Sequence, residues 1–227
     1  MKSSRRLVGC VLGALVTILA VGSEVQAAAI FTTNSAAFLA ANPGLTLEDF
    51  EAASLASGTA GVFAGPLNSA TNNSVFQPGD IVAGFSLTTT SGDIYADRDF
   101  AGNSGATVSS NFFNADLNIG FTPLVTAIGI DLKQWNGSNG TWTVEAFDVA
   151  NVSLGSFVTG NTFLGITSDV AIGRLFINKP DQGAVIDNLR FGAAGTPVPE
   201  PSTLTLLGLG IAAGARKLRN RGKRVNG

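Results

Sequence analysis

Between residues 45 and 192 the apolar positions fall into short runs of Val, Ile, Leu and Phe, each closed by a cluster of Gly, Asn, Ser or Asp. Alternation with a period of two marks half-buried strands, because successive side chains of a strand point to opposite faces. The closing clusters are residues that turns select. Strands are therefore predicted at 45–51, 80–89, 106–110, 117–121, 125–133, 141–148, 152–158, 163–167, 171–178 and 184–192. Ahead of them, "TNSAAFLAANPG" (33–44) offers Asn34 or Ser35 as a cap, an Ala-rich body and Pro43-Gly44 as a stop, which predicts one short helix. The pattern as a whole predicts an all-β fold, an antiparallel β-sandwich of jelly-roll type with one short N-terminal helix. Ile128, Ile130 and Leu132 share one strand face, and Trp142, Val144 and Ala146 share another, which places Trp142 in the core.

The two ends of the chain follow other rules. Lys2, Arg5 and Arg6 precede an uncharged, mostly apolar run from Leu7 to Gly22, and Val25-Gln26-Ala27 supplies small residues where a signal peptidase cuts. Residues 1–27 thus read as a secretory signal peptide. Cys10 comes too early in the run for a lipoprotein cut, and Arg5-Arg6 lacks the full apolar sequel of a twin-arginine signal. At the other end, fourteen residues from Ser202 to Ala215 form an apolar segment followed by Arg216, Lys217, Arg219, Arg221, Lys223 and Arg224. As a helix that segment is about 21 Å long against about 30 Å of hydrocarbon, short for a permanent span. Its basic tail stays cytoplasmic by the positive-inside rule, leaving the preceding domain outside. Three regions follow: 1–27, a β-sandwich domain at 28–196, and a C-terminal segment at 197–227.

Composition narrows the chemistry. The chain has no His, and its one Cys leaves with the signal peptide. This removes imidazole acid–base catalysis, thiol nucleophiles, disulfides and thiolate metal sites. Between residues 28 and 196 fourteen acidic side chains face five basic ones, a balance that argues against nucleic-acid binding. "DIYADRDF" (93–100) gathers Asp93, Asp97 and Asp99 around Arg98. Flanking glycines make it read as a solvated loop, with a cation site or a hydrolytic carboxylate pair as the chemical alternatives. Trp135 falls out of phase with the buried positions before it and lies beside the turn "NGSNG" (136–140). Trp135, Asn136 and Gln134 then form either a sugar-stacking platform with amide partners or the rim of a core.

The C-terminal order of Val198-Pro199-Glu200-Pro201, apolar segment and basic tail resembles the PEP-CTERM sorting signal of bacteria that export polysaccharide. The resemblance implies recognition of Val198, Pro199, Glu200 and Pro201 by exosortase, a membrane processing enzyme, and a surface or extracellular-matrix destination. The prolines suit this, since they keep residues 197–201 extended and accessible. The helix "SAAFLAANPG" leading into "LEDFE" and the closing "VIDNLRFG" are similar to the β-sandwich domains such proteins carry and to carbohydrate-binding jelly rolls. That second likeness implies a structural calcium between Glu51 and Asp187, with two solvated carboxylates as the alternative reading.

The expectation is therefore a non-enzymatic exported protein. It is cut by signal peptidase, held transiently in the inner membrane, processed by an exosortase-type enzyme, and placed at the cell surface or in a polysaccharide matrix, where its sandwich binds glycan. A carboxylate-dependent glycan hydrolase and a purely structural matrix protein are the alternatives.

Overall fold

A computed structural model describes residues 28–100, 102–112, 115–134, 140–178 and 184–195. The signal peptide (1–27), the sorting segment (197–227), Trp135 and Asn136 lie outside the described residues. In chain order the elements are β1 (Ile30–Thr32), α1 (Ser35–Ala41), β2 (Thr46–Glu48), β3 (Thr59–Ala64), β4 (Phe85–Thr89), β5 (Asp93–Arg98), β6 (Ala106–Ser110), β7 (Leu117–Gln134), β8 (Trp142–Asp148), β9 (Ser153–Thr159), β10 (Thr162–Asn178) and β11 (Ala184–Gly192).

All of these strands pair antiparallel, in the order β3-β5-β6-β11-β7-β10-β8-β9, with β1 on β10, β2 on β11 and β4 on β7. Two long strands make this path a sandwich. The first half of β7 pairs with β4 and with the second half of β10, which continues into β8 and β9. The second half of β7 pairs with the first half of β10 and with β11, which continues through β6 and β5 to β3. Both long strands change register partway, where the pairing slips between Thr167, Ile172 and Arg174. Such slips bend a strand and re-aim its side chains. A single apolar core then spans both halves, with Leu117, Ile119, Ile128, Ile130, Leu132 and Trp142 among its fully buried members. Phe85 and Phe121 pack against Phe191, with Phe50 edge-on to Phe85.

Several sequence expectations change here. The segments 117–121 and 125–133 belong to one strand, as do 163–167 and 171–178. Exposed Thr122, Pro123 and Leu124 look like a turn in sequence but form the outward face of a bend. Residues 80–84 are not a strand, because the Val82 amide is drawn to the Glu48 carboxylate (2.8 Å) instead of to a neighbouring strand. The acidic segment read as a loop is strand β5, locked between β3 and β6.

The helix sits where the sequence reading put it, capped by Asn34, whose side chain accepts from the Ala37 amide (3.0 Å). Its one buried side chain, Phe38, lies over a cross-strand glycine pair, Gly129 on β7 opposite Gly165 on β10. A Cβ on Gly165 would stand 2.5 Å from the Phe38 ring, and one on Gly129 would stand 3.0 Å from it. The glycines therefore hollow a seat for the helix. Gly165→Val is expected to lower stability by about 1–3 kcal/mol through overpacking, with part of the loss recovered by adding Phe38→Leu. Thermal melts of the two variants check this; an unchanged melting temperature for Gly165→Val would show that the helix is not seated there.

Candidate functional site

The outer end of the β7–β10 pair opens into a cleft of about 470 Å³. Its walls come from three places. Strand β7 supplies Asp131, Lys133 and Gln134, the start of β10 supplies Thr162 and Phe163 after Asn161, and the β5–β6 turn supplies Asn103 and Ser104. That turn is closed by the Asp99 amide donating to the Gly105 carbonyl (3.0 Å) and by the Gly105 amide donating to Asp99 Oδ1 (2.9 Å). The Gly105 amide, followed by the Ser57 hydroxyl, holds the exposed Asp99 carboxyl below the usual carboxylate range. Phe163 is placed by its tilted contact with Phe38, 5.4 Å between ring centres, so the helix seat also fixes one wall of the cleft.

Charged side chains in the cleft already have partners. Lys133 Nζ donates to Asp187 Oδ2 (2.7 Å), and Asn188 Nδ2 donates to Asp131 Oδ2 (2.9 Å). The backbone amide of Asn188 also donates to Asp187 Oδ1 (2.6 Å). Asn188 reaches both acids because it sits at φ 49 in the register slip of β11 between Asp187 and Arg190. That left-handed conformation is one Asn tolerates better than most residues. Burial pushes the Asp187 carboxyl above the usual range, with Lys133 opposing the shift.

Two polar atoms at the cleft are left over. Gln134 is only 5% exposed, and its Oε1 has no hydrogen-bond partner; Asn103 Nδ2 is likewise buried and unpaired. Glycine at position 140 leaves room for the Gln134 amide, since any Cβ there would overlap it. An unpaired buried acceptor costs about 1–3 kcal/mol, so a group that satisfies it binds favourably.

Of the sequence-predicted site residues, Gln134 lines this cleft, whereas Trp135 and Asn136 fall outside the described residues. Asn103, Asn161 and Phe163 were not singled out by sequence, because only the pairing of β7 with β10 and the β5–β6 turn brings them together. The calcium expectation finds no support in the geometry. Glu51 accepts from Arg98 Nη1 (2.9 Å) on one oxygen and from the Ala106 amide (2.8 Å) on the other. Asp187 has both oxygens engaged by Lys133 and Asn188. Among the described residues no three His, Cys, Asp or Glu side chains form a group that could hold a metal ion. The acids of β5 do not share an exposed face either. Asp97 is fully buried and accepts from the Thr107 hydroxyl (2.7 Å), while Asp99 lies beyond the strand end at φ 49.

The architecture is that of a β-sandwich-like protein with an antiparallel sheet and one short helix. Its C-terminal end carries a known motif: residues 197–221 match the PEP-CTERM protein-sorting motif, so this is a PEP-CTERM domain-containing protein. The motif marks an exported protein that an exosortase-type membrane enzyme sorts from a transiently membrane-anchored stage. Among the described residues no helix is long and apolar enough to cross a membrane.

No curated protein sequence matches the chain. Among solved structures, the chain is similar to the enzymatically active domain of bacteriophage CBA120 tailspike protein 4, at 17% identity and a TM-score of 0.27. That match covers 48% of this chain and 19% of the tailspike domain. It is also similar to the family 11 carbohydrate-binding module of Clostridium thermocellum in complex with a β-1,3-1,4-mixed-linked tetrasaccharide, at 10% identity and a TM-score of 0.23, over 60% of this chain and 89% of the module. A second structure of that module, from the cellulase Lic26A-Cel5E, matches at 8% identity and a TM-score of 0.24, over 66% of this chain and 96% of the module.

Proposed function

We propose that this protein reaches the cell surface or the extracellular matrix through its sorting motif and there holds polysaccharide in the cleft at the end of β7 and β10. The observation that carries the reading is the cleft wall itself: amides and hydroxyls from Asn103, Ser104, Gln134, Asn161 and Thr162 beside the Phe163 ring. Sugar recognition needs this combination, a few convergent polar groups for hydroxyls and an apolar surface for the ring face. Trp135, next in sequence to Gln134, belongs to the same proposal as the aromatic platform.

The role is binding without catalysis. Hydrolysis of a glycosidic bond ordinarily uses two carboxyl groups flanking the bond. Asp131 is the one carboxylate among the described residues lining the cleft, and its Oδ2 is held by Asn188. Affinity electrophoresis of the purified mature protein against soluble polysaccharides tests the reading. Retardation is expected, weakened about tenfold or more by Trp135→Ala or by Asn161→Ala. Binding that ignores both substitutions would move the site elsewhere, and turnover of any polysaccharide would restore the hydrolase alternative.

A further inference from the structure

We infer that the cleft selects uncharged glycans over anionic ones, and that Asp187 sets this selectivity by occupying Lys133. The inference rests on the polysaccharide reading and names its substrate class. Lys133 is the one cation among the described residues that line the cleft, and it is the group an anionic sugar would seek. Its ammonium already donates to Asp187 at 2.7 Å.

Asp187 is not free to let go. Its side chain is 7% exposed, and its second oxygen is clamped by the Asn188 amide in the β11 register slip. A carboxylate that lost its cation at this depth would be left charged and poorly solvated, so a uronate or sulfate that displaced it would bind at a large penalty. Asp131 adds a further negative charge to the same wall. The domain around it carries fourteen acids against five bases between residues 28 and 196, so the long-range field repels polyanions as well.

What the cleft leaves unsatisfied is neutral. Gln134 Oε1 is an acceptor and Asn103 Nδ2 a donor, each buried without a partner. The terminal torsion of a Gln or Asn side chain is broad, so a small turn presents either atom to a ligand entering the cleft. Neighbouring hydroxyls on one sugar supply both a donor and an acceptor, which is the complement these two amides require. A carboxylate or sulfate ester supplies acceptors only, and leaves Gln134 Oε1 unpaired.

Pairs of polymers that share a backbone and differ in whether its substituents are charged test this. Dextran and dextran sulfate form one pair, hydroxyethylcellulose and carboxymethylcellulose another, measured with the mature protein by affinity electrophoresis near physiological salt. At least one neutral member is expected to retard the protein, and its charged twin to bind tenfold or more weakly. Asn103→Ala, on an exposed turn outside the core, is expected to weaken neutral binding several-fold without lowering the melting temperature. Asp187→Asn, checked for folding by its melt, releases Lys133 and is expected to narrow the neutral-to-anionic ratio at least tenfold. Equal binding of both twins, preference for the charged one, or an unchanged ratio in a folded Asp187→Asn variant overturns the selectivity while leaving glycan binding intact. Failure of every polymer to bind removes the polysaccharide reading along with it.

Discussion

Replacing Pro199, Glu200 and Pro201 together by alanine is expected to leave the protein unprocessed at its C-terminus and retained with the membrane. The motif spans 197–221, so the substituted triplet lies at its start while the apolar segment and the basic tail remain intact. The two parts of the signal do different things. Ser202–Ala215 and the six cations after it are the apolar and basic parts expected to anchor the chain, and the substitution does not touch them. The Pro-Glu-Pro triplet disfavours helix by its sequence alone, since proline fixes φ and cannot donate a helical hydrogen bond. Three alanines, good helix formers, are expected to remove both that restriction and the side chains the motif presents. Intact-mass measurement of membrane and released fractions checks the result: wild type yields a chain shortened at its C-terminus, the variant a full-length one. A variant released in shortened form would show that the triplet is dispensable.

Loss of the Glu48 side chain is expected to destabilise the sandwich more than Gly165→Val does. Glu48 closes β2 opposite Leu189 of β11 and is only 3% exposed. One carboxylate oxygen accepts from the Phe50 amide at 2.7 Å and the other from the Val82 amide at 2.8 Å. It thereby joins the end of β2 to the segment that leads into β4, and it fixes the turn in which Phe50 takes φ 57 and enters the core. Glu48→Ala leaves both amides without that acceptor and is expected to cost about 2–4 kcal/mol, a drop of about 5–15 °C in melting temperature for a domain of this size. Glu48→Gln keeps one acceptor and is expected to lose less.

The same carboxyl gives a pH signature. Burial raises its titration point above the ordinary glutamate range, with the two amide hydrogen bonds opposing the shift. Burial raises Asp187 likewise. Groups that hold protons more tightly when folded stabilise the fold below the unfolded titration point, and that stabilisation is lost as pH rises through the raised folded one. Stability is therefore expected to decline from about pH 4 upward until both groups are ionised, and Glu48→Gln to flatten part of the slope. Denaturant melts across that range check it. A wild-type stability that rises steadily through the window would show that other carboxylates dominate.

The line between what sequence reveals and what it hides runs through particular residues. The position of strand β8 and the burial of Trp142 were legible because that segment alternates buried and half-buried positions, whereas β6, buried at all five positions, was legible from the turn residues Gly105 and Asn111 that bound it. Strand β5 was not, since Asp97 reads as solvated until the Thr107 hydroxyl of β6 is brought beside it. Strands β1 and β3 escaped for a related reason: three and six residues with exposed positions give periodicity too little length to register. The C-terminal sorting motif was the most legible part, because its order of triplet, apolar segment and basic tail is local in sequence.

The cleft belongs to the other kind of information. Sequence determined that Gln134 follows an alternating apolar segment and lies beside Trp135, that the domain is acidic, and that no His or Cys stands between residues 28 and 196. Tertiary structure decided that Asn103, some thirty residues earlier, and Asn161 and Phe163, nearly thirty later, stand around it. It also decided that Lys133 is spent on Asp187, fifty-four positions away. Local patterns report local free energies such as burial, turns and helix caps. A binding wall is assembled by strand pairing across the fold, and nothing in the separate segments encodes which side chains that pairing brings together.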